Sequence, residues 1–139
     1  MSPKSVRKAL LIIWFACFGL TLAIVLYLGL GKWIGQDNFR KALTQLNSSY
    51  VPYLGVITAF YFAANVSTER SVEGDGVAPA LAVAASLLWN AVILAFLVPL
   101  LFGHGVIEQT INNVEFFGGL ISWLVAPAIG FYFAHTQDH

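Results

Sequence analysis

Residues 9–31 read ALLIIWFACFGLTLAIVLYLGLG. These 23 residues lie between Lys8 and Lys32 without a charge, and as a helix rising about 1.5 Å per residue they cross a hydrocarbon layer of roughly 30 Å. The stretch predicts a membrane protein. Lys4, Arg7 and Lys8 in front of it resemble the basic start of a secretory signal, but the apolar run is too long, and no small-residue cleavage site followed by a polar mature domain comes after it. It reads as a retained helix. Cys17 is the single cysteine. It can form no intrachain disulfide and reads as a small packing residue.

Charge-free runs place three further spans. Between Lys41 and Glu69 the continuous apolar part is 51–66, short for a crossing that usually takes about 20 residues. Between Asp75 and Glu108 a third span fills 81–102, with Pro79 marking its start. A fourth runs over 116–134. No alternating ten-residue pattern suggests a barrel, so helices must satisfy the backbone in lipid. The expected fold is an all-α membrane protein, residues 1–139 forming one domain of four transmembrane helices. Composition agrees. Of 139 residues 58% are hydrophobic and 10% charged, against about 25% charged in a soluble domain. Seven Lys+Arg balance seven Asp+Glu. A disordered chain, a basic nucleic-acid binder, a disulfide scaffold and a solvated globular enzyme are excluded.

Four crossings put both termini on one side. That side carries Lys4, Arg7, Lys8 and Arg70, the other Lys32, Arg40 and Lys41, which favours cytoplasmic termini in the inner membrane. Two segments on the far side have helical periodicity. Asp37 or Asn38 can cap a helix whose apolar face is Phe39, Leu43, Leu46 and Tyr50, and Ile107, Ile111 and Val114 form a second face beside Glu108 and Glu115. They are either short interfacial helices or extensions of helices two and four. Their opposite net charges could pair.

Phe60-Tyr61-Phe62-Ala63 recurs as Phe131-Tyr132-Phe133-Ala134, and the apolar register persists when the same offset is carried backward. Two helix-pair halves, 1–70 and 71–139, follow. Both carry small residues at helical spacing: Gly55, Ala59 and Ala63 in one, Gly118, Ser122, Ala126 and Gly130 in the other, with Ala82, Ser86 and Asn90 in helix three. Small residues let helices approach closely in lipid. Helix one, bulkier, is expected to face lipid more than the rest.

No charge lies in any span, which disfavours proton- or ion-coupled transport. His135 and His139 have ligand-like spacing but no further ligand beside them, so no metal site is expected. No phosphate loop, nucleophile elbow, haem-ligating histidine or other catalytic set is present, so neither enzyme activity nor a cofactor is expected. The polar residue needing a reason is Asn90, with Thr21, Thr58, Ser86 and Ser122 as mid-span partners. Either it holds helices together or, copied around an oligomer axis, it lines a weakly selective pore. Pro52 and Pro127 interrupt helices two and four, as kinks for packing or as marks of a binding site. The expected protein is non-enzymatic, embedded in the lipid bilayer and self-associating, channel-like or pore-forming. The alternatives are an accessory or scaffold subunit beside a partner membrane protein, and a neutral-substrate transporter. Nucleic acid is not an expected partner.

Overall fold

The computed structural model describes residues 3–31, 33–66 and 77–135. Within them the chain forms four helices: α1 (Pro3–Leu30), α2 (Gln36–Val66), α3 (Val77–Leu101) and α4 (Ile107–His135). Three of them, α1, α3 and α4, are long and apolar enough to cross a membrane. The two far-side segments are extensions. Each runs without a break into the helix that follows it, so α2 has 31 residues and α4 has 29, roughly 46 and 43 Å of helix.

The ends of the helices follow local chemistry. Gln36 opens α2, so Gly35 occupies its cap, and Asp37 sits in the first turn instead, where its charge meets the positive end of the helix dipole. Asp37 and Asn38 are therefore not the cap. At the end of α3, His104 N–H donates to the Pro99 carbonyl at 3.0 Å and Gly103 N–H to the Leu100 carbonyl at 3.2 Å. This is a Schellman closure. It needs a left-handed residue, and Gly103 supplies it with φ of +72°.

Short loops, 31–35 and 102–106, make two antiparallel hairpins. Between hairpins α1 lies beside α3 and α2 beside α4. Trp14 stacks on Trp89, and further along both helices Val25 and Leu97 line one small gap, so α1 and α3 run parallel. Leu46 with Val114, then Tyr53 with Ser122, give α2 and α4 the same sense. A two-fold axis along the bundle would set α1 diagonally across from α3. Here they are neighbours, so one hairpin is displaced sideways from the other rather than rotated about a central axis.

The core is a set of seams spaced by three, four or seven residues, the pattern that brings left-handed bundle helices into register. In α1 it is Leu10, Trp14, Thr21, Ile24 and Leu28. In α4 it is Ile111, Val114, Gly118, Val125, Ala128 and Tyr132. Helix α1 is not the lipid-facing outlier expected of it, since it buries as large a share of its apolar stretch as α4 and contributes Trp14 to the centre. Tyr132, repeated from Tyr61 in the sequence, is buried rather than displayed at a surface.

Candidate functional site

The centre of the bundle is aromatic. Trp14 stacks on Tyr53 at 4.7 Å and on Trp89 at 5.0 Å, and Tyr50 meets Trp89 edge-on at 4.9 Å. Asn90 lies within this cluster, 1% exposed. The Tyr50 hydroxyl donates to its Oδ1 at 3.0 Å, and its Nδ2 donates to the Ser86 carbonyl at 2.8 Å. The amide is thus held across the diagonal between α2 and α3. Of the four partners expected from sequence, only Ser86 meets Asn90, and through its backbone. Thr21 turns back on its own helix, donating to the Cys17 and Phe18 carbonyls, and Ser122 does the same toward Gly118 at 2.6 Å. Thr58 is half-buried on α2. Tyr50 is the partner sequence reasoning missed. Its place on the apolar face with Leu46 was the available signal, once that face continues into the bundle.

The small residues divide. Ala82 and Gly118 pack inside; at Gly118 an added Cβ would lie 3.4 Å from Ile93. Gly55, Ala59, Ala126 and Gly130 are exposed, and the Ala63 side chain lies outside the described residues. Pro52 and Pro127 stand inside their helices with exposed rings. Each removes an N–H, which leaves the carbonyls of Ser48 and Trp123 without their helical donors. Arg40, Lys41, Glu108 and Glu115 are exposed and form no ion pair among the described residues, so the oppositely charged segments do not join within one chain. Arg70 and His139 lie outside the described residues.

One concavity stands out. Between α2 and α4 opens a lateral groove of about 510 Å³. Gln45, Ser48, Ser49, Pro52, Tyr53 and Val56 form its α2 wall; Glu115, Gly118, Gly119, Ser122, Ala126, Ile129 and Gly130 form its α4 wall. Trp89 closes the floor, tied to α4 by its Nε1, which donates to the Gly118 carbonyl at 3.1 Å. Tyr53 reaches the Ser122 carbonyl at 3.5 Å, the limit of a hydrogen bond. Because α2 and α4 are parallel, the polar residues Gln45, Ser48, Ser49 and Glu115 gather toward the loop end, and Val56, Ala126, Ile129 and Gly130 toward the other. Gln45 Nε2 donates weakly to Ser49 Oγ at 3.4 Å. The groove offers hydroxyls, an amide and one carboxylate. Compared with protein-family models, curated proteins and solved structures, the chain matches none.

Proposed function

We propose that this chain is a small, non-catalytic, multi-pass protein of the inner membrane that assembles with copies of itself into a channel-like oligomer. Helix α2 is its fourth span. Its C-terminal two thirds, from about residue 47 to 66, are packed beside apolar helices through buried Tyr50 and Ile57, and the whole helix, roughly 46 Å long, exceeds the hydrocarbon layer of about 30 Å. The charged first turns of α2 then stand beyond the bilayer on the loop side. The halves 1–70 and 71–139 are a duplicated hairpin: α1 and α3 end 71 residues apart, at Leu30 and Leu101, and α2 and α4 begin 71 apart, at Gln36 and Ile107. With cytoplasmic termini, a cysteine replacing Trp33, which is exposed between α1 and α2, is expected to react with a membrane-impermeant maleimide added to intact cells. Labelling only after lysis would reverse the topology.

The observation carrying self-association is the position of Gly55. A Cβ added at Gly55 would meet no atom within 4 Å, so nothing inside one chain requires glycine there. Glycine in a helix is about 1 kcal/mol less favourable than alanine. Close approach of a neighbouring helix in lipid supplies the reason. Gly55 and Ala59 are exposed beside the groove without lining it, on the side of α2 that carries Ser48 and Pro52, and that edge is the contact between copies. Conduction runs between protomers, because each interior is filled by Trp14, Tyr50, Ile57, Trp89 and Ile93. Energy transfer between labelled copies in liposomes is expected to be lost on Gly55→Leu, the dissociation constant rising about tenfold, equivalent to about 1.4 kcal/mol. Ion release from the same liposomes is expected to fall with it. Unaltered association, or wild-type oligomers in ion-tight vesicles, would reject the reading.

A further inference from the structure

We propose that the α2–α4 groove binds a long-chain amphiphile whose head carries an amine, with the ammonium at Glu115 and the apolar chain running toward Ala126 and Gly130. The size of the groove decides between occupants. Its volume of about 510 Å³ falls within the roughly 300–1,000 Å³ of small-molecule sites. A helix about 10–12 Å wide fills on the order of 120 Å³ per residue of its length. The groove would therefore take only about four residues of a helix, although its α2 wall from Gln45 to Val56 extends roughly 17 Å and its α4 wall from Glu115 to Gly130 roughly 22 Å. Long, narrow and open to the side, it fits a chain that slides in from the bilayer.

Polarity sets the ligand's direction. Gln45 and Glu115 each lie eight or nine residues from the loop end of their helices, Gln36 and Ile107. The polar end of the groove therefore sits near one surface of the membrane, and the apolar end, with Val56, Ala126 and Ile129, lies deeper. An amphiphile of the loop-side leaflet already has this orientation. Charge sets the head group. Glu115 is the one charged residue in the lining, it is exposed, and it has no ion pair among the described residues. Ser48 and Ser49 belong to the same lining, and Pro52 deprives the Ser48 carbonyl of its helical donor. That set offers many acceptors and a negative charge. It accepts an ammonium, which has three N–H donors and no acceptor, and repels a carboxylate or sulfate.

The absence of bulk on α4 has the same explanation. Gly119 and Gly130 line the groove, and neither is crowded by any atom of the chain. Larger side chains there would fill the space that the ligand takes. The contact at Gly55 and the ligand at Glu115 rest on different residues, and Gly55→Leu and Glu115→Gln are read by different measurements, so the two readings fail separately.

Native mass spectrometry of the protein in maltoside micelles, incubated with dodecylamine or dodecanol, tests the site. Wild type is expected to retain dodecylamine at least tenfold more than dodecanol. Glu115→Gln, an exposed and near-isosteric change, is expected to bring the two to parity, and Ala126→Phe to abolish retention of both by blocking the chain end. Lysophosphatidylethanolamine, held as well as dodecylamine, would identify a leaflet lipid as the occupant; rejected, it would identify a free amine. Equal retention of amine and alcohol by wild type, or an amine preference untouched by Glu115→Gln, would overturn the proposal, and neither result bears on energy transfer between Gly55 faces.

Discussion

Replacing Trp89 with alanine is expected to destabilise the bundle by about 3 kcal/mol, the largest effect of any single substitution considered for this chain. Trp89 is 1% exposed, lies 5.0 Å from Trp14 and 4.9 Å from Tyr50 between ring centroids, and its Nε1 ties α3 to the Gly118 carbonyl of α4. In a water-soluble core such a truncation costs about 3–5 kcal/mol, from loss of transfer free energy together with the cavity left behind. A bilayer removes most of the first term, because Trp89 on a separated helix faces lipid rather than water. The cavity remains, and each lost aromatic pair contributes about 0.5–1.5 kcal/mol beyond area. These terms set the lower end of the range. Trp123 serves as the comparison: it is also in α4's apolar stretch but 71% exposed, and Trp123→Ala is expected to change stability by no more than about 0.5 kcal/mol. Reversible unfolding in mixed micelles measures both. Equal effects of the two substitutions would mean that the aromatic cluster does not hold the bundle together.

That contrast also shows where sequence reading stops. Charge-free runs located all four helices, and the 71-residue offset of Phe60 and Phe131 recurs at the ends of α1 and α3 and the starts of α2 and α4, though not at their other ends. Which face of each helix turns inward was not legible. In a soluble helix the polar face identifies the outside, but here lipid and core both select apolar side chains, so Trp14 and Trp123 look alike in the sequence and have opposite fates. The same ambiguity applies to small residues, since Ala82 is buried and Ala126 exposed. Gln45, Ser48, Ser49 and Glu115 were visible individually, yet they become one end of a groove only because the extensions of α2 and α4 continue their helices and run parallel. Tyr50 has the same origin. The extension of α2 carries it straight into the interior.

The second large effect concerns Asn90, whose two readings, as a helix-to-helix tie and as a pore lining, predict different outcomes for one substitution. Its Oδ1 accepts from Tyr50 at 3.0 Å and its Nδ2 donates to the Ser86 carbonyl at 2.8 Å, within a 1%-exposed site. Asn90→Leu keeps approximate volume but takes from the buried Tyr50 hydroxyl its acceptor at 3.0 Å and leaves it only the Thr21 hydroxyl, a loss expected at about 1 kcal/mol. Tyr50→Phe in that background removes the hydroxyl and is expected to recover most of that loss, so the pair is coupled in a double-mutant cycle. Interhelical hydrogen bonds in membranes average only about 0.6 kcal/mol. The larger value is expected here because three aromatic rings, Trp14, Phe18 and Trp89, pack against Tyr50 and limit what a freed hydroxyl can reach. A residue lining a conduction path would behave in the opposite way: Asn90→Leu would alter ion selectivity in liposomes while leaving unfolding unchanged, and Tyr50→Phe would have no compensating effect. Measuring flux and stability on the four members of the cycle separates the two roles, because a tie shows coupling in stability without a change in selectivity.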